Sequence, residues 1–384
     1  MTVKRPGVYF DGTTDVEVVG TGAKIPVIIG KTGNSAATGY PVDGTNIQTF
    51  RNFDECNRSI ANGGIGTDTS TNPVLAFLEE FFEEAEPKTN EDLGVPFVYV
   101  IDLGAGTTKA DWLTALTNAK KLNRATVEVP IGCDNITDYT LSAFIAGAMA
   151  SIDTETSNLN LRTLFFTKPS ATDAQLIALN PSSGGILNSR CFLCEPLLFG
   201  KTVARFCTTP YWVEPGFLEY RTVTPGTFKE RTNAEIEALQ AAGVVINTDE
   251  VVDTDVYCRI NLSVSTAYAA TQRPADAVGH CRFNADNLLR EIFKAVYPQV
   301  KDNEVESKIA KSQTRVDAII DKEVDAEKII GYNSDTGEGT KLTLVESNQE
   351  PYDMELIGDI LCVNSTHAVN VKARIRNPVI KSTS

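Results

Sequence analysis

The chain has 384 residues, of which 42% are apolar, enough to bury one large core or two of ordinary size. Its formal net charge of -15 leaves no broad basic surface for bare nucleic acid, so proteins are the expected partners. Basic residues near the N-terminus lead into no apolar segment of a secretory signal, and no apolar run approaches the roughly 20 residues of a membrane-spanning helix. A soluble protein made in the cytoplasm is the expectation.

In chain order, Pro6-Gly7 sets a turn, and Val16 and Val18 alternate with polar neighbours as in a short strand within an irregular arm. Ile25 to Gly30 is a continuous apolar run, the mark of a strand buried on both faces. Asn72-Pro73 opens a helix reaching Glu86, with Leu75, Leu78, Phe81 and Phe82 as its stripe. Its glutamates 79, 80, 83, 84 and 86 are expected to face water, because a calcium loop would space its oxygens differently. Strands follow at 96–101, 125–130 and 162–167, separated by helices at 111–122 and 139–152. That alternation predicts an α/β layer with a largely parallel sheet. Residues 186–228 read as more β-like, and a helix opening at Thr232 ends at Gly243 before the apolar run 244–246.

From about 255 the pattern changes to a strand over 256–264, helices at 284–297 and 304–323, and alternating strands from 340 onward. The predicted organisation is an N-terminal arm (1–20), an outer α/β domain (21–254), an inner α+β domain (255–369) and a C-terminal arm (370–384). Val369, Val371, Ala373 and Ile375 alternate with Asn370, Lys372, Arg374 and Arg376, giving one apolar and one basic face. Residues 370–384 hold four basic residues and no acidic one, which suits an arm reaching an acidic neighbour. An unpaired strand of this kind is a hazard unless it completes another sheet, so it is expected to link subunits. In the helix 304–323, Val305, Ile309, Val316, Ile319 and Ile320 form the buried stripe, and Lys308, Lys311, Arg315 and Lys322 form a basic stripe beside it.

Candidate chemistry does not assemble. Gly30-Lys31-Thr32 lacks the earlier glycine of a phosphate loop, since that position is Ile25. Cys191 and Cys194 form a lone C-x-x-C without a second half-site, and all eight cysteines are read as thiols, mostly buried. Histidines occur only at 280 and 367; His280 adjoins Cys281, but neighbours on regular structure are expected to point apart. No enzyme, metal or cofactor is expected.

In order, these pieces resemble the contractile tail sheath family. The resemblance rests on Pro6-Gly7-Val8-Tyr9, the Ile25–Gly30 strand, Phe81-Phe82 before Leu93-Gly94 and Phe97–Ile101, and Ala241-Ala242-Gly243-Val244-Val245. The closing pair 358–363 and 367–375 carries it furthest; Val256 to Ile260 departs from the family's Trp-Gly-Arg-Arg-Thr-like segment. The resemblance implies a structural subunit of a phage-like tail or injection particle, with no nucleic-acid or membrane-inserting role. It also implies helical self-assembly as stacked hexameric rings, and contacts with a tube, a baseplate and a terminator protein. Val16, Val18, Val369, Val371, Ala373, Ile375, Lys372, Arg374 and Arg376 would then lie in inter-subunit arms, and Lys308, Lys311, Arg315 and Lys322 would face the tube. A tube or baseplate component is the alternative, although helix–strand alternation speaks against a tube subunit.

Overall fold

A computed structural model describes residues 24–32, 46–85, 94–103, 108–122, 124–135, 140–157, 161–180, 187–217, 229–252, 255–269, 278–296, 305–346, 354–363 and 368–375. Strands β1 (Ile25–Gly30), β2 (Asn46–Phe50), β3 (Val98–Asp102), β4 (Ala125–Ile131), β5 (Thr163–Phe166), β6 (Cys191–Cys194) and β7 (Val244–Val245) build one sheet in the order β2-β3-β1-β4-β5-β6-β7. All pairings in it are parallel except β2 with β3. The period of two distributes β1 between two cores: Ile28 enters one, while Val27 and Ile29 enter the other. Besides the short α1 (Phe53–Cys56), the helices are α2 (Pro73–Ala85), α3 (Lys109–Ala119), α4 (Leu141–Ser157), α5 (Asp173–Leu179), α6 (Phe199–Thr208) and α7 (Asn233–Ala241). Helices α2 and α6 cover the Ile28 face, and α3, α4, α5 and α7 cover the other. The mixed α/β class and the parallel sheet match the sequence reading.

Two expectations about this layer are corrected. The described part of 186–228, residues 187–217, is not mainly β: only 191–194 is a strand there, and α6 follows it with all ten residues buried. A helix packed on every side shows no polar stripe, which hid its period. Nor does the acidic run on α2 simply face water. Glu80 Oε2 accepts from the Gly200 N–H at 2.9 Å, Glu83 pairs with Lys201 at 3.1 Å, and buried Glu84 lies 3.6 Å from Arg205. Gly200 permits this close approach, because a Cβ there would lie 2.5 Å from the Phe77 carbonyl oxygen.

The second unit is a meander of β10 (Lys341–Glu346), β11 (Met354–Leu361) and β12 (Ala368–Ile375), packed on helices α8 (Gly279–Val296) and α9 (Val305–Asp325). Between the units, β8 (Asn247–Val252) and β9 (Asp255–Ile260) form an antiparallel hairpin. A domain boundary at 254/255 falls between the two paired strands of that hairpin, and Ile260 packs in the first core. The change of core occurs inside α8: Phe283 stacks with Phe165 and Phe192 in the first unit, while Cys281, Ala285, Leu288 and Ile292 enter the second.

Candidate assembly surface

The C-terminal sheet has one buried and one outer face. On β11, Met354, Leu356 and Ile360 are buried whereas Ile357 and Asp359 are exposed. On β10, Leu342 and Leu344 are buried whereas Lys341 and Thr343 are exposed. Tyr332 extends the outer face, with Lys341 Nζ 4.5 Å from its ring centre. Gln313 of α9 holds the sheet by its backbone, donating to the Leu342 carbonyl at 2.9 Å and accepting from the Leu344 N–H at 2.8 Å. No periodicity argument would single out that glutamine.

Of the predicted arm residues, Val16, Val18 and Arg376 lie outside the described residues. The others lie in β12, which pairs antiparallel with β11 of the same chain. Val369, Val371, Ala373 and Ile375 stand opposite Ile360, Gly358, Leu356 and Met354, and Lys372 and Arg374 stand opposite Ile357 and Glu355. The alternation read from the sequence therefore fits the register of the chain's own sheet, and an arm beginning at 370 starts within a strand. Strands β10 and β12 form the two edges of that sheet. Gly358 sits between them with φ +152, and a Cβ there would lie 1.9 Å from the Lys341 carbonyl oxygen. No side chain fits at that register position.

On α9, Val316 and Ile320 are buried and Ile309 and Ile319 half-buried, as a one-sided helix requires. Lys311, Arg315 and Lys322 are exposed; Lys308 lies in the helix, its side chain outside the described residues. Arg315 has a structural duty as well, since its Nη1 donates to the Ala295 carbonyl at the end of α8 at 2.9 Å. A cation at a helix C-terminus is favourably placed against the helix dipole.

Buried charge joins the two units. Asp286 of α8 takes a bidentate bond from Arg190, with Nη2 at 2.7 Å, and a further bond from Arg282 at 2.7 Å. Arg290 Nη2 donates to the Leu161 carbonyl at 2.6 Å. Lys328, past α9, lies 4.6 Å from the Trp212 ring centre and pairs with Glu323 at 3.1 Å. His280 Nδ1 is 2.7 Å from Glu214 Oε2, and its Nε2 is 3.5 Å from the Cys281 sulfur. The two neighbours therefore meet, contrary to expectation, in the first turn of α8, where the imidazole bridges between Glu214 and the Cys281 sulfur. Burial alone would lower the His280 pKa, but hydrogen bonds with Cys281 and Glu214 raise it to about 10. Burial also drives Lys24 down to about 7, although its Nζ donates to the carbonyls of Phe206 and Thr209 at 2.7 Å each.

The remaining motifs take structural places. Gly30 closes β1, and Thr32 donates from its hydroxyl to Asp102 Oδ2 at 2.8 Å, tying β1 to β3. Cys191 and Cys194 point into opposite cores from β6, so they do not converge on one ligand. Seven cysteines have described side chains, all of them buried thiols; the Cys258 side chain and His367 lie outside what is described. Among the described residues, no helix is long and apolar enough to cross a membrane.

No family model matches the sequence, and no curated protein is similar to it. Solved structures are similar in shape over nearly the whole chain. A sheath tail protein from Desulfitobacterium hafniense superposes with a TM-score of 0.59 at 11% identity, covering 96% of this chain and 100% of its own. A sheath tail protein from Listeria innocua gives 0.61 at 9% identity, covering 93% and 96%. The helical sheath of the anti-feeding prophage in its contracted state gives 0.58 at 13% identity, covering 97% and 96%. The chain has the fold of the tail sheath proteins.

Proposed function

We propose that this chain is a structural subunit of a contractile tail sheath, polymerising around a tube and shortening to drive that tube through a target envelope. The shared fold carries the proposal: it spans both units, and one protein sharing it is a contracted sheath. Assembly by stacked rings of copies, contact with a tube, a baseplate and a terminator protein, and residence in a tail particle all follow from this reading. The chain contributes no bond-breaking chemistry; work comes from exchanging one set of subunit interfaces for another.

Two surfaces suit these tasks. The edges of the C-terminal sheet, β10 and β12, accept a neighbour's strand by main-chain hydrogen bonds, which residues 1–20 or 376–384 of another copy would supply. Lys311, Arg315 and Lys322 offer positive charge on a chain of net charge -15, suited to an acidic band on a tube. Electron microscopy of the purified protein, alone and co-expressed with a tail tube protein, tests the reading. Hollow striated cylinders are expected; small particles that never polymerise under either condition overturn it.

A further inference from the structure

Cys281 and Cys362 are set apart from the other described cysteines by what surrounds them. Cys281 is the third residue of α8, near the positive end of the helix dipole, which favours an anion. Its sulfur lies 3.5 Å from His280 Nε2, and the far nitrogen of that ring is 2.7 Å from the Glu214 carboxylate. Carboxylate, imidazole and thiol thus stand in line, the arrangement that stabilises a thiolate beside an imidazolium. Cys362 closes the line from the other side: its sulfur lies 3.6 Å from the Cys281 carbonyl oxygen, and its thiol also bonds the Cys281 side chain. The Cys281 contact and burial raise the Cys362 pKa, which leaves it a protonated thiol. Among the described side chains, no other cysteine has an imidazole beside it; Cys56 and Cys133 contact backbone carbonyls, and Cys191 and Cys194 lie in opposite cores.

We propose that Cys281 and Cys362 form a redox-responsive pair that a hydroperoxide converts into a disulfide, stapling the first turn of α8 to the end of β11. The Cys281 thiolate attacks one peroxide oxygen, the O–O bond breaks, and Cys281 becomes a sulfenic acid while hydroxide leaves. The Cys362 sulfur then attacks the Cys281 sulfur, the S–O bond breaks, and the departing hydroxyl leaves as water with the Cys362 proton. The peroxide is reduced by two electrons, one from each sulfur. The staple would close a loop of 81 positions that holds α9, β10 and β11, fixing the C-terminal sheet against the helix that joins it to the first unit. The inference does not depend on the chain being a sheath subunit.

The test treats the intact protein with hydrogen peroxide, blocks remaining thiols under denaturing conditions, and maps peptides without reduction. The expected product is lighter by about 2 Da and contains a peptide pair joined through Cys281 and Cys362, released by dithiothreitol. Cys362→Ser should abolish the link and leave a sulfenic acid at Cys281 that dimedone traps. Cys281→Ser should abolish the link and leave Cys362 reduced. His280→Gln should slow linking by about tenfold at neutral pH, an effect that a purely structural histidine would not have. All eight thiols surviving in the wild-type chain, a disulfide between other cysteines, or an unchanged rate in His280→Gln would each overturn the proposal.

Discussion

Replacing Asp286 by Asn tests how the two units are held together. Burial opposes ionisation of Asp286, yet the charges of Arg190 and Arg282 hold its carboxyl at about 2, below the ordinary 3.8. At about 1.4 kcal/mol per pH unit, that depression is worth about 2–3 kcal/mol of folding free energy. The asparagine also strands the buried Arg190 guanidinium and loses one of its two bonds, so the expected cost at neutral pH is about 3–5 kcal/mol. Because the folded carboxyl is the more acidic, its contribution is complete above pH 3.8 and fades as pH falls through about 2. Urea unfolding followed by far-ultraviolet circular dichroism should therefore show a constant gap between wild type and variant from pH 5 to 8, closing below pH 4. Arg190→Met should cost a similar amount, and the double variant less than the sum. A gap under about 1 kcal/mol at neutral pH would refute the idea that this pair holds the units together.

Gly358→Ala should cost at least about 3 kcal/mol or prevent folding, since the new Cβ overlaps the Lys341 carbonyl; a urea midpoint near that of wild type would show that the β10–β11 register differs. Lys24 and His280 titrate in opposition: a lowered lysine stabilises as pH rises through about 7, whereas a raised histidine loses stability from 6.5 up through about 10. Between pH 7 and 8.5, stability should thus fall with pH in Lys24→Met and rise in His280→Gln, as chemical denaturation at several pH values will show. Lys311→Glu combined with Lys322→Glu, which spares the Arg315 bond to Ala295, should leave fold and self-assembly intact while reducing sheath captured on tubes in a pull-down, most clearly at low salt. Deleting 376–384 keeps β12 whole and should give a folded subunit that no longer forms cylinders in the microscope; deleting from 370 would instead strip the pairing from β11.

Legibility in the sequence tracked how one-sided each element's surroundings are. Strand β1 was bounded by its apolar run, and α2 to within a residue, because Pro73 starts it and its stripe is broad. Helix α6 was missed because Lys201, Thr202, Arg205 and Thr208 are as buried as its apolar residues, so polarity did not track exposure. The glutamates of α2 were misplaced for the same reason, their partners being invisible until α6 was known. On the assembly surface, the alternation of 369–375 was plain, but alternation specifies a face and not the strand that pairs with it. The line Glu214–His280–Cys281 was beyond sequence reasoning, since it needs a carboxylate 66 positions from the imidazole.

The joint between the units bears on how a polymer of this chain would shorten. Phe283 stacks into the first core, Asp286 is clamped by two arginines, Arg290 bonds the Leu161 carbonyl, and Lys328 sits against Trp212. Bending there would unpair buried ions and separate aromatic rings, each a loss of kilocalories with nothing in the chain to replace it. The sheet edges and the α9 stripe are different: their hydrogen bonds and charges face outward, where one neighbour can replace another. Under the proposed function, the two packings of a sheath therefore differ at β10, β12 and the α9 surface, with α8 unchanged between them. Cross-linking distances within one subunit, measured between the two units, should accordingly be the same in extended and contracted particles. A change at α8 would place the hinge inside the chain and reject the rigid joint.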